Sequence, residues 1–160
     1  MADQVYIKIE GVKGPLQVDG FSDHFEAHGA EGGQIVNHFT ASNNGQAFSG
    51  VPELSNLRLS IKNCTADVSS TLHQKTLKAE PLTSVKVSQI TRVKGKDTET
   101  YGMLYDKPHI IRYDYEASSG DLFLEVGNFA SVETTHYNIS PEGDVKPMRV
   151  KHDLTKNTTT

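Results

Sequence analysis

Apolar and polar residues alternate along most of this chain. Val5, Ile7 and Ile9 fall on one side of an extended backbone and Tyr6, Lys8 and Glu10 on the other, which predicts a strand with one buried and one wet face. Gly11 and the Gly14-Pro15 pair end it. The stretch from His24 to Phe39 is interrupted by Gly29 and Gly32-Gly33 and reads as a strand carrying a bulge or bend. Leu57, Leu59 and Ile61 alternate with Arg58, Ser60 and Lys62 in a further half-buried strand. Between these two regions, Thr40 to Glu53 is polar, bears glycines and has no period, which predicts a long loop.

Helical spacing occurs once. Val68 and Leu72 stand four apart with Leu77 beyond, and Asp67 or Ser69 is the expected N-cap of a run through Lys78, stopped by Pro81. Alternation then resumes from Val85 to Val93, turns at Lys94-Gly95-Lys96-Asp97, and continues through Glu99–Tyr105 and, past Pro108, Ile110–Tyr115. Turns at Ala117–Gly120 and Pro141–Asp144 separate Leu122–Phe129, Val132–Ile139 and Val145–His152. The polar tail, residues 156–160, is expected to fray. Eight to ten short strands and one short helix predict a mainly β fold, an antiparallel barrel or sandwich.

Composition narrows the classes. At 160 residues and 36% hydrophobic, the chain suits one packed domain. No run approaches the ~18 consecutive apolar residues of a membrane-spanning helix. The start, Met1-Ala2-Asp3-Gln4, is acidic where a signal peptide is basic, so the expectation is a soluble chain with no conventional export signal and no membrane partner. A net charge of −4 argues against nucleic acid: the lysines at 86, 94 and 96 are followed at once by Asp97 and Glu99. A single cysteine, Cys64, forbids an internal disulfide and reads as a small buried hydrophobe.

Candidate chemistry is sparse. His24, Glu26 and His28 alternate and would share one strand face, a donor set able to bind zinc. Strand neighbours two apart lie ~6.5–7 Å from each other, which suits chelation in one row poorly. A wet strand face is favoured, and neither a metal nor any other cofactor is assigned. Gly29–Gly33 lacks the Gly-Lys-Ser/Thr ending of a phosphate loop. No Ser/His/Asp, Cys/His or paired-carboxylate arrangement stands out, so no catalytic residue is assigned and the chain is read as a non-enzyme.

The order of features resembles a known family. Val5-Tyr6-Ile7-Lys8-Ile9-Glu10-Gly11-Val12-Lys13-Gly14 is similar to the opening of the haemolysin-coregulated proteins (Hcp), the tube proteins of the bacterial type VI secretion system. The loop, the strand at Leu57–Lys62, the helix after Thr65 and the hairpins follow in the same order. Leu122 to Leu154 is also similar, with Phe129, a Glu133/Thr135/Tyr137 strand and the turn at Gly143. Family members often carry tryptophans in the second strand, whereas this chain has none and reads Gly-Gly-Gln-Ile-Val-Asn-His-Phe there.

The resemblance implies one β-barrel domain over residues 1–155 with a flexible polar tail at 156–160. It implies a non-enzymatic subunit forming hexameric rings that stack into a tube. The implied partners are other copies of the chain, a contractile sheath, a valine–glycine-repeat spike and effector cargo. The chain would reside in the bacterial cytoplasm and then be secreted without a cleaved signal peptide. The Thr40–Glu53 loop would contact neighbouring subunits through Asn43, Asn44, Gln46 and Phe48, with Gly45 and Gly50 permitting the bend. An exposed phenylalanine in a polar loop fits a surface that a neighbour covers. The alternatives are a monomeric β-sandwich binding a carbohydrate or peptide through that loop, and a zinc-dependent hydrolase built on His24, Glu26 and His28.

Overall fold

The computed structural model describes residues 4–36, 39–41, 47–49, 53–62, 64–156 and 158–160. The first half holds seven strands: β1 (Gln4–Ile9), β2 (Phe25–Gly32), β3 (Ile35–Val36), β4 (Phe39–Ala41), β5 (Ala47–Ser49), β6 (Glu53–Leu54) and β7 (Leu57–Ile61). Helix α1 (Ala66–Leu77) follows, then β8 (Ser84–Val93), β9 (Lys96–Asp106) and β10 (His109–Glu116). The chain closes with β11 (Asp121–Gly127), β12 (Ser131–Ile139), β13 (Val145–Asp153) and β14 (Thr158–Thr159). The pattern's mainly antiparallel β class is borne out: ten strands form one antiparallel sheet in the order β10-β11-β7-β2-β1-β8-β9-β12-β13-β14. The two smaller pairs, β3-β6 and β4-β5, stand apart from it.

One face of this sheet is the core. Ile7, Ile9, Phe25, Leu57, Leu59, Ile61, Val85, Leu122, Leu124 and Val126 are buried there, each on the alternating apolar side of its strand. The sheet curls. Leu82 N donates to Pro108 O at 2.8 Å, and Pro81 bridges His109, so the start of β10 comes back beside the residues that lead into β8.

Helix α1 covers part of the remaining apolar surface with Val68 and Leu72. Its N-cap is Thr65, in extended conformation and with no side-chain cap bond; Asp67 and Ser69, the expected caps, lie inside the first turn. There Asp67 complements the positive end of the helix dipole. Leu77, read as part of the apolar stripe, is 76% exposed. Five residues past Leu72, it sits roughly 140° around the helix and faces away from the sheet.

The outer face of β1 is not uniformly wet. Tyr6 is buried, because the segment between β1 and β2 doubles back over it: Gly14 N donates to Asp23 O, Asp23 N to Leu16 O and Leu16 N to His24 O. This seats Phe21 edge-on against both Tyr6 (5.3 Å between centroids) and His24 (5.4 Å). The Tyr6 hydroxyl lies 2.9 Å from Asp97 and 3.0 Å from Gln4, and burial followed by the Asp97 hydrogen bond pushes its pKa up to about 12. Gly14 is obligatory here, since a Cβ would lie 2.2 Å from the His24 carbonyl oxygen.

Two boundaries differ from expectation. The turn between β8 and β9 is only Lys94-Gly95, both at positive φ (50° and 79°), so Lys96 and Asp97 already belong to β9. The tail, expected to fray, returns as β14, pairing Thr158 with Asp153 and Thr159 with His152. Leu72→Ala is expected to lower stability by about 2–5 kcal/mol, and Leu77→Ala by less than about 0.5 kcal/mol. Urea unfolding of the two variants checks this contrast.

Candidate functional site

The long connection between β2 and β7 is built as an arm. Ile35 pairs with Leu54 and Val36 with Glu53; further out, Phe39 pairs with Ser49, Thr40 with Phe48 and Ala41 with Ala47. The stretch read as an unstructured loop is thus a hairpin on both sides of its middle. Two short Phe-centred runs around Asn44-Gly45 were the available signal. Of the predicted contact residues, Phe48 lies in β5; Asn43, Asn44, Gly45 and Gln46, with Gly50, lie outside the described residues.

The root of the arm is clamped. Gly33 N donates to Asn56 O (3.2 Å), Ser55 N to Gln34 O (3.0 Å) and Gln34 N to Ser55 Oγ (3.0 Å). The Tyr105 hydroxyl donates to Gly33 O at 3.3 Å, and burial raises its pKa, so it keeps its proton. Gly32 and Gly33 take φ of 80° and 64°, and a Cβ on them would meet Asn56 O at 2.1 Å and the Tyr105 hydroxyl at 2.2 Å. Two glycines are required where the chain leaves the sheet.

Charge is sparse in this region, with Glu53 at the base of the arm. Residues 32–52, 21 in all, contain no Asp, Glu, Lys or Arg. Beside the root lies an open hollow of about 350 Å³ whose ten lining residues, Val87, Tyr101 and Met103 among them, carry no formal charge. Ile35 and Val36, at the base of the arm, are exposed. An arm with no formal charge beyond Glu53 at its base, beside an uncharged hollow, loses little hydration free energy when another surface covers it, whereas many charged groups would lose much. The arrangement is suited to contact.

The histidine row does not converge. Its spacing is broken by a bulge between Ala27 and Gly29. His24 precedes β2, is nearly buried, and donates from Nδ1 to Ser22 O at 3.0 Å. Glu26 lies 3.6 Å from Lys62 Nζ and His28 2.9 Å from Asp121. Among the described residues, no three His, Cys, Asp or Glu side chains gather as a metal site would require. Cys64 packs against the core, and burial, with Asp121 nearby, pushes its thiol pKa up to about 11, away from thiolate chemistry.

No protein-family model matches the chain, nor does any curated protein. Solved structures do. A type six secretion system protein superposes with a TM-score of 0.82 at 16% identity, covering 99% of this chain and 100% of its own. Hcp1 from Salmonella typhimurium gives 0.72 at 13% identity with both chains fully covered. The chain has the Hcp fold. Secreted protein Hcp3 from Pseudomonas aeruginosa shares it more distantly, at a TM-score of 0.54 and 11% identity over 92% of this chain and 98% of its own.

Gly33→Ala is expected to destabilise the protein by about 1–3 kcal/mol, since it adds both left-handed strain and a clash with Tyr105; thermal unfolding checks it. A second test concerns His24, whose pKa burial lowers from the ordinary 6.5, with Lys8 and Lys86 acting in the same direction. The denatured chain therefore protonates first, and the His24 contribution is present above pH 6.5 and lost as pH falls through the depressed native pKa. Chemical unfolding between pH 7 and about 5 should show a steeper loss of stability in the parent than in His24→Gln.

Proposed function

We propose that this chain is a structural subunit of the type VI secretion inner tube. It assembles into hexameric rings that stack, and it is exported with the spike and effectors after residing in the bacterial cytoplasm. The observation that carries this reading is the end-to-end correspondence of the fold: 99% of this chain and 100% of a type six secretion system protein superpose at a TM-score of 0.82. A catalytic domain or a ligand module inserted in a common barrel would leave unmatched segments on one side or the other.

The arm supports the same reading. An isolated two-stranded hairpin is marginally stable in water, so one that projects from the sheet with exposed apolar residues at its base calls for a partner surface. Asn43, Asn44, Gly45, Gln46 and Phe48 are the residues we assign to that contact. Cargo, spike and sheath would engage the assembled tube, and the subunit itself needs neither cofactor nor catalytic residue for this role.

Negative-stain imaging of the purified chain, paired with sedimentation, is expected to show rings; a strictly monomeric species across a wide concentration range would overturn the proposal. Deleting residues 43–48 should leave the barrel's circular dichroism and melting intact while weakening assembly.

A further inference from the structure

The exposed large hydrophobic side chains are not scattered. Among the described residues there are nine, and six sit at the two ends of the main sheet: Val145, Met148 and Val150 on β13, and Ile111, Tyr115 and Phe123 on the β10–β11 hairpin, each 40–55% exposed. Both ends also carry open strand edges. Among the described residues, β13 has no strand neighbour on its outer side from Val145 to Val150; β14 joins it at His152 and Asp153, and Thr160 exchanges two backbone hydrogen bonds with Lys151. Among the described residues, the outer side of β10 carries a single bridge, at His109.

Their charges are opposite. β13 holds Lys146, Arg149 and Lys151 against one acid, Asp153 at its far end, with Asp144 flanking its start. Lys146 and Arg149 stand opposite Asn138 and Thr135 in the ladder and Lys151 opposite Glu133; Arg149 also lies near the Tyr137 hydroxyl, which Glu99 shares. At the other end, residues 113–121 hold Asp114, Glu116 and Asp121 and no Lys or Arg. Flanking Arg112 lies 3.5 Å from Asp114, and His28 lies 2.9 Å from Asp121.

We infer that these two ends are the halves of one contact between copies: the basic β13 edge of one chain docks on the acidic end of the β10–β11 hairpin of the next. This rests on the tube-subunit reading and names the surfaces that reading needs. A two-fold contact centred on either end would set cations against cations or acids against acids. A head-to-tail contact joins opposite charges, and it leaves one free end of each kind on every pair, so the series continues until it closes. Pro147, which has no N–H to donate, interrupts any strand ladder along the β13 edge. The contact is therefore made by side chains, apolar residues at the centre and charges around them.

The test is a charge swap read by sedimentation and negative-stain imaging. Lys146→Glu/Arg149→Glu makes both ends acidic, and Asp114→Lys/Glu116→Lys makes both basic. Each variant alone is expected to assemble about tenfold or more less tightly than the parent, and an equimolar mixture to recover assembly, because alternating copies restore opposite charges at every contact. Assembly of the parent should also weaken as salt rises from about 0.05 M to about 0.5 M. Circular dichroism and melting establish that each variant folds. Should either fail to fold, Lys146→Gln/Arg149→Gln and Asp114→Asn/Glu116→Gln take its place, each expected to weaken assembly about tenfold. A parent that forms rings while folded variants assemble equally well, or folded swap variants that stay apart when mixed, overturns this contact and leaves the tube reading standing. A parent that never associates overturns both.

Discussion

A ten-stranded antiparallel sheet whose two companion sheets have only two strands each must cover its own apolar face, and that constraint organises the protein. The strands from β10 through β1 to β8 bend until Leu82 N reaches Pro108 O at 2.8 Å, which brings Leu57, Leu59, Ile61, Leu122 and Leu124 into one core with Ile7, Ile9 and Val85. Helix α1 adds Val68 and Leu72 to the same core. Twelve residues of helix are too few to hold without docking, so the helix and the curl support each other.

The same constraint explains what stays uncovered. The curl meets at the start of β10 and leaves β13, and the β10–β11 hairpin beyond His109, with half-exposed apolar side chains and open outer edges. The arm is displaced for a related reason. Gly32 and Gly33 turn the chain out of the sheet at the one place where Asn56 and Tyr105 fill the space a side chain would need. Open edges invite uncontrolled strand pairing unless they are blunted, and Pro147 and the lysines of β13 are the expected devices.

Much of this was legible in the one-dimensional pattern. β7 alternates cleanly, β1 and β11 each carry an apolar row at every second position, and the structure buries most of the side that the alternation marks. The failures have specific causes. Tyr6 reads as a wet position because period two reports only the sheet; its cover, Phe21 and the doubled-back segment, comes from residues with no period at all. Leu77 completes an apolar count but not an apolar face. Thr158 and Thr159 look like tail because two polar residues carry no signal of the strand they join. The arm hid in a stretch whose paired runs are three residues long, below the length at which alternation can be recognised.

By itself the sequence determined the β architecture, the single short helix, the positions of most turns and the order of features shared with Hcp proteins. These depend on local chemistry: which side of a strand is apolar, where glycine or proline stops a run, where helical spacing appears. Only the tertiary structure decided which strands are neighbours, that β13 and β10 lie at opposite ends with opposite charge, that the three members of the histidine row turn to separate partners, and that a polar stretch stands out as an arm. Those outcomes rest on contacts between residues far apart in the chain, such as Tyr105 with Gly33 and His28 with Asp121, and no local pattern encodes a distant partner.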